Sequence, residues 1–301
     1  MCERKTAVTL GSFDGLHKGH MTVIACAFEM QKEYGLSPLV LLFDRHPMLA
    51  LSGKAPDMVL QPSLRDEIIS ETGAEKRIVP FDLVKDMTCR EFFEKILIEK
   101  LNAGGVCCGW NYRFGKNNGG GIDELRALCD EFGVKLRVSA PVDYQGSPVS
   151  STRIRQAVEN GNIPLANALL GREFRYKQTV VDGQHRGRLI GSPTINQRFD
   201  SGFVKPKKGV YASVTIVDGK EYPSVTNIGL RPSFENEDFR SETCILGFSG
   251  NLYGLEIEVR LLDYLRDEVK FDSLDELSAQ IRKDAEKSEE IFKIRGEKGN
   301  V

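Results

Sequence analysis

Thr6-Ala-Val-Thr-Leu10 runs directly into Gly11-Ser-Phe-Asp-Gly-Leu-His17-Lys-Gly-His20, and apolar residues at helical spacing follow from Met21 to Tyr34. A short β-prone run, a glycine-rich bend and a helix form the opening unit of a parallel sheet flanked by helices. Sheets of this kind place ligands beyond the carboxyl ends of their strands. Glycines let the backbone bend tightly there, and the free N–H groups of the helix start can hold a phosphate. Two histidines three residues apart at such a helix start can donate hydrogen bonds to oxygens that gain negative charge. The same pair could be half of a zinc-type site, but that needs further ligands and none is suggested nearby.

Outward from this stretch the alternation continues to about residue 140. Leu39 to Phe43, Arg77 to Phe81, Gly105 to Gly109 and Lys135 to Val138 read as strands, and Cys89 to Leu101 reads as a helix. Beyond Leu170 the texture changes. Phe174 to Val181, Val210 to Val217, Ser224 to Ile228, Ser241 to Phe248 and Leu255 to Leu265 are strand-like, as in an antiparallel barrel. Asp218-Gly219 is a hairpin signal, because both central positions of that turn want positive φ. Ser273-Leu-Asp-Glu276 is a capping box for a final helix. A chain of 301 residues exceeds what one core usually holds. The expected division is one domain over 1–160, a linker over 161–171, a second domain over 172–294 and a disordered tail over 295–301.

Hydrophobic residues make up 41% and charged residues 28% of the chain, an ordinary globular composition. With 41 Lys and Arg against 43 Asp and Glu the net charge is −2. That balance makes no case for duplex nucleic acid or an anionic membrane as partner. No apolar run approaches the ~18 residues of a membrane span, and no signal-peptide pattern opens the sequence. The 7 cysteines lack paired spacing, and adjacent Cys107 and Cys108 sit in an apolar run. They read as reduced core thiols, which places the chain in the cytoplasm. Small molecules are the expected partners; protein partners are left open.

Three later stretches carry chemistry of their own. Ser150-Ser-Thr-Arg-Ile-Arg155 offers hydroxyls and guanidinium groups at a helix start, which suits a triphosphate, although alone it reads first as an N-cap. In Gly187-Arg-Leu-Ile-Gly191-Ser-Pro193-Thr194-Ile-Asn196, glycines admit close backbone approach, while Thr194 and Asn196 supply hard oxygen donors for Mg²⁺. By itself that string reads first as a plain turn. Glu242 by itself reads as a strand-surface carboxylate.

Together these stretches resemble a known family. His17-Lys-Gly-His20 is similar to the HxGH signature of nucleotidylyltransferases, and the longer string resembles the opening of bacterial bifunctional riboflavin kinase/FAD synthetases. Phe43-Asp-Arg-His46-Pro47, Gly109-Trp-Asn-Tyr-Arg-Phe-Gly115 and the Ser150–Arg155 stretch agree with it. Gly187 to Asn196 resembles the flavokinase G-x-PTAN motif. Asn227-Ile-Gly-Leu-Arg231-Pro-Ser-Phe resembles NIGxRPTF, and Arg240 to Gly254 resembles ExHxxDFxxDLYG. Arg266-Asp-Glu268 with Phe271, Ser273 and Leu277 fits RDExxFxSxxxL. The motifs stand in the expected order from about Val8 to Phe292.

The resemblance implies an α/β plus all-β protein: a Rossmann-like nucleotidylyltransferase domain, then an antiparallel Greek-key barrel of riboflavin kinase type ending in a helix. It implies phosphorylation of riboflavin to FMN, then adenylylation of FMN to FAD, with ATP as co-substrate and Mg²⁺ as cofactor. Gly11, Phe13, Asp14, Asn111, Ser151, Thr152 and Arg155 would bind ATP in the first domain, with His17 and His20 stabilising charge. Gly187, Gly191, Pro193, Thr194, Asn196, Asn227 and Arg231 would bind ATP and flavin in the second, with Thr194 and Asn196 on the metal and Glu242 as base. The sequence departs from the family at several places. Gly120-Gly121 stands where many members carry Gly-Asp, which opens the alternative of a kinase without adenylylation. Ser192 and Ile195 differ within the flavokinase motif. Cys244 replaces a usual His and Gly247 a usual Asp, both read as peripheral. A non-catalytic flavin-binding regulator is the further alternative.

Overall fold

The computed structural model describes residues 4–181, 194–231 and 238–298. The chain forms two compact units, one from Met1–Pro56 with Pro62–Ser151 and one from Asp57–Gln61 with Thr152–Val301.

In the first unit β1 (Thr6–Leu10) leads to α1 (Lys18–Tyr34), β2 (Ser37–Phe43), α2 (Pro47–Ser52), α3 (Pro62–Thr72) and β3 (Glu75–Val79). A short turn of helix, α4 (Cys89–Glu91), passes into a π-helix over Phe92–Lys100, followed by β4 (Ala103–Gly109), α5 (Ile122–Phe132) and β5 (Lys135–Ser139). A small hairpin, β6 (Asp143–Tyr144) with β7 (Ser147–Pro148), precedes α6 (Ser151–Glu159). The five long strands form one sheet, β3-β2-β1-β4-β5, parallel at every pairing. Ala7, Val8, Thr9 and Leu10 of central β1 are all buried, as expected for a parallel strand covered on both faces. Helix α1 starts three residues earlier than its apolar spacing suggested, because His17 caps it. Strand β3 ends at Val79, two residues short of the expected Phe81. Pro80 has no N–H for the ladder, and the Phe81 N–H goes instead to Asp44 Oδ1 at 2.8 Å.

The second unit contains α6 from Thr152 onward, α7 (Ile163–Leu170), β8 (Phe174–Val181), β9 (Thr194–Arg198), β10 (Gly209–Val217), β11 (Lys220–Arg231), β12 (Asp238–Ile245), β13 (Glu256–Arg266) and α8 (Leu274–Lys298). Its strands close into a barrel in the order β10-β11-β12-β9-β8-β13. Strands β10, β11 and β12 form a meander and β13 returns beside β10, which is the Greek-key arrangement. The hairpin between β10 and β11 pairs Val217 with Lys220, with φ of 49° at Asp218 and 76° at Gly219. Ser213, Thr215, Ser224, Thr226, Ser241 and Thr243 are fully buried. Most of their hydroxyls bond one another or the strand backbone, as in Ser213 to Thr226 at 2.8 Å and Thr226 to Thr243 at 2.9 Å. A fully polar core is costly unless bonded in this way.

Three features bear on the expected division of the chain. Within the expected linker 161–171, α7 buries Ile163, Ala166, Leu169 and Leu170, and Asn167 Nδ2 donates to the Leu261 carbonyl at 3.0 Å. Arg295 falls in the stretch expected as a tail. It sits in α8 and binds the carboxylates of both Glu173 and Glu221, the latter at 3.0 Å. The segment Asp57–Gln61 belongs to the second unit although it lies early in the chain. Met58 N–H donates to Gly202 O at 2.7 Å, and the buried Gln61 amide brackets Lys177, donating to its O at 2.9 Å and accepting from its N–H at 2.7 Å. The described cysteines are all free, and burial pushes the Cys108 and Cys129 thiols up to about 12.

Candidate active sites

In the sheet unit, β1 is followed by β2 on one side and flanked by β4 on the other. That reversal of strand order opens a crevice at the carboxyl ends. The Gly11–His20 loop leaves β1 there, and the Gly109–Gly115 loop leaves β4. Phe13, Gly15 and Leu16 have φ of 48°, 84° and 42°. For the two non-glycines this is strained by ~1–3 kcal/mol each. Both side chains are fully buried, which offsets the strain by about the same amount.

The loop delivers His17 as the N-cap of α1, its Nδ1 accepting from the His20 N–H at 3.3 Å. In a neutral imidazole that hydrogen bond leaves the proton on Nε2, a donor for a ligand oxygen. The His17 and His20 rings stack at 3.7 Å and 15°, with Phe13 5.4 Å beyond His20. Gly19 makes the stack possible: a Cβ there would lie 3.2 Å from His17 Cε1. Ser151 Oγ donates to the Asp14 carbonyl at 2.8 Å, tying the start of α6 to the same loop. Gly11 precedes it, and a Cβ there would meet the Phe13 ring at 3.3 Å. Asn111 lies exposed just past β4. Gly121 is the N-cap residue of α5, with no side-chain cap and nothing nearer than 3.8 Å to an added Cβ. An aspartate would fit there; its absence leaves only a bare cap. Thr152 and Arg155 lie on α6 within the second unit, where Arg155 Nε donates to the Asp57 carbonyl at 2.7 Å.

In the barrel unit the strand register assembles the other set. Glu242 on β12 stands directly opposite Asn196 on β9 and Asn227 on β11, and Cys244 stands opposite Thr194. Period-two alternation puts Thr194 with Asn196, and Glu242 with Cys244, on shared faces. Thr194, Asn227, Glu242 and Cys244 border a cavity of about 830 Å³. Its far wall comes from the end of β13, the segment after it and α8, including Val269, Phe271, Leu274, Leu277 and Ile281. Cys244 therefore borders the cavity and is not peripheral, whereas Gly247 sits exposed in the turn after β12. Asn196 is buried. Gly187, Gly191 and Pro193 lie outside the described residues, and Arg231 is described only as the last residue of β11.

Two features of this site join residues of the Arg266–Leu277 motif to partners far from them in sequence. Glu268 Oε1 accepts from Asn227 Nδ2 at 3.1 Å, and its carboxylate lies over Gly229. Asn227 Oδ1 is buried with no hydrogen-bond partner among the described residues. Arg266 holds Asp284 of α8 through Nε and a second nitrogen, at 3.1 and 2.7 Å, which fixes the helical wall to the barrel. Leu274, Leu277 and Ile281 recur at helical spacing, which together with Phe271, Ser273 and Leu277 of the motif marks this wall. Among the described residues no group of three or more His, Cys, Asp or Glu side chains could hold a metal ion, and no helix is long and apolar enough to cross a membrane.

Comparison with known proteins matches both halves. The FAD synthetase family model covers residues 1–153 and the riboflavin kinase model covers 170–292. A Haemophilus influenzae protein named bifunctional riboflavin kinase/FMN adenylyltransferase is 34% identical, over 95% of this chain and 94% of that one. The Bacillus subtilis protein of the same name is 33% identical, over 96% of this chain and 93% of that one. A solved structure titled as a macrolide-efflux protein from Streptococcus pneumoniae has a TM-score of 0.87 at 32% identity and covers 96% of this chain and 95% of that one. What it shares is the fold. By two family models and near-full-length relatives, the chain belongs to the bifunctional riboflavin kinase/FMN adenylyltransferase family.

Proposed function

We propose that the two activities of this enzyme, ATP-dependent phosphorylation of riboflavin to FMN and adenylylation of FMN to FAD, are divided between its halves. FMN formation belongs to the barrel and α8, the domain expected over 172–294. FAD formation belongs to the sheet unit with the start of α6. The observation that carries the kinase half is the register setting Glu242 opposite Asn196 and Asn227, with Glu242 and Asn227 at the edge of one cavity.

There Glu242 takes the proton of the riboflavin 5′-hydroxyl as its oxygen bonds to the γ-phosphorus of ATP and ADP leaves. Val269, Phe271, Leu274, Leu277 and Ile281 offer an apolar wall for the flavin ring. Thr194 and Asn196 fit Mg²⁺ as hydroxyl and amide oxygen donors, the hard type this ion takes beside substrate phosphates. Bound there, it would neutralise charge on the phosphates. Gly187, Gly191, Pro193 and Arg231 are assigned to phosphate and flavin contacts by their motifs.

In the sheet unit an FMN phosphate oxygen attacks the α-phosphorus of ATP and pyrophosphate leaves. No protein nucleophile is required. His17, through Nε2–H, and His20 steady the charge that develops, and Ser151, Thr152 and Arg155 are assigned to the phosphates by their motif. Gly11, Phe13 and Asp14 shape the loop around the nucleotide, and Asn111 stands beside the crevice. Free cysteines agree with a cytoplasmic setting.

Separating flavins by chromatography after incubation with riboflavin, ATP and Mg²⁺ tests the division. Glu242→Gln is expected to lower FMN formation by ~10² to 10⁴-fold and to spare conversion of added FMN to FAD. His17→Ala and His20→Ala should do the converse, by ~10² to 10³-fold. Equal loss of both activities in either case would overturn the assignment.

A further inference from the structure

We infer that Glu268 is a positioning residue for FMN formation, fixing which way round the Asn227 amide stands beside Glu242. This deepens the kinase-site reading above and rests on it. A side-chain amide has a donor arm and an acceptor arm that are nearly equal in shape, and only its partners decide between the two orientations. A carboxylate accepts and cannot donate. Glu268 Oε1, 3.1 Å from Asn227 Nδ2, therefore holds the NH₂ group to itself and commits the oxygen to the other arm. That oxygen is buried and finds no partner among the described residues, while Glu242 stands directly opposite Asn227 in the strand register.

The consequence is chemical. With the amide turned about, its NH₂ would be offered across the strand pair to the Glu242 carboxylate. A hydrogen bond to the charged form makes a carboxylate a weaker base. With the amide as Glu268 sets it, Asn227 and Glu242 both present acceptors, an arrangement suited to a hydroxyl donor such as those of the ribityl chain.

Gly229 belongs to the same device. It lies two residues along β11 from Asn227, and a Cβ there would sit 2.8 Å from Glu268 Oε1 and 3.2 Å from Cδ. A side chain at 229 would push the carboxylate away from the position from which it reaches Asn227. Among the described residues the charged groups around this cavity are Glu242, Arg266, Glu268, Lys270, Asp272 and Asp284. Arg266 and Asp284 bind each other.

Steady-state kinetics on the full chain, following FMN formation at saturating ATP, tests the inference. Glu268→Ala and Gly229→Ala are expected to lower kcat by ~10-fold, the scale of a lost positioning contact, with the riboflavin KM held within about threefold. Asn227→Asp should lose activity by a similar factor, because two carboxylates then face each other. The isosteric pair Asn227→Asp with Glu268→Gln reverses donor and acceptor, keeps an oxygen on the far arm and leaves the total charge unchanged. It should recover part of the kcat that Asn227→Asp loses, because the repulsion from Glu268 is relieved. A double variant no more active than Asn227→Asp, or losses carried by KM alone, would overturn the positioning role. Glu242→Gln with undiminished FMN formation would instead sink the kinase-site reading beneath it, so the two failures are distinguishable.

Discussion

At the scale of single residues, Gly120 and Gly121 look alike in sequence and are not alike in space. A Cβ on Gly120 would lie 2.5 Å from Cys89 Sγ and 2.9 Å from the Phe114 ring, whereas one on Gly121 meets nothing within 3.8 Å. Gly120→Ala is therefore expected to lower stability by ~1–3 kcal/mol, the usual cost of overpacking, visible as a lower melting temperature. Gly121→Asp should fold normally and add a few tenths of a kcal/mol by capping α5. Its effect on FAD formation measures what the carboxylate usual in relatives contributes. The HxGH pair was legible in sequence because neighbouring residues supply its geometry: His17 caps α1 and stacks on His20 three residues on. Glu268 against Asn227 was not legible, since 41 residues separate them and no periodicity links the two.

Among the elements, α8 is the one whose attachment decides a site, because it supplies a wall of the kinase cavity. Its first turn follows the sequence expectation, with the Glu276 N–H on Ser273 Oγ at 3.2 Å, although the Glu276 carboxylate reaches the Asp272 N–H instead of that of Ser273. Its far end is held by Arg295, which binds Glu173 and Glu221. The Arg295 hydrogen bond, the largest cause, holds the Glu221 carboxyl below its ordinary value. A carboxyl depressed in the folded state stabilises above its unfolded pKa of roughly 4.3, and that contribution is lost as pH falls through the lower folded value. Arg295→Met should thus destabilise by about 1–2 kcal/mol at neutral pH, between exposed and buried ion pairs. The gap from the parent should close as pH falls below about 4. Thermal melts from pH 7 to pH 3 check this, and a gap independent of pH would refute it.

On the scale of the whole molecule, the chain does not change units once but leaves and re-enters, because Asp57–Gln61 joins the barrel unit. Gln61→Ala would strip the Lys177 N–H and carbonyl of their bracket, at roughly 1–3 kcal/mol for each group left buried and unpaired. FMN formation is then expected to fail on heating before FAD formation does, although residue 61 lies in the half that matches the FAD synthetase family. Simultaneous loss of both activities would contradict it. Much of the fold was written locally. The five strands of the sheet, the hairpin at Asp218-Gly219 and the cap at Ser273 each depend on neighbours within a few positions, so periodicity, turn chemistry and ordered motifs identified both halves and their reactions. Residues far apart in sequence were another matter. The strand register that faces Glu242 with Asn196 and Asn227, the carboxylate over Gly229, the hydroxyl-lined barrel and the adoption of Asp57–Gln61 all arise from long-range pairing. Backbone hydrogen bonds between distant strands set those distances, and no local pattern encodes them.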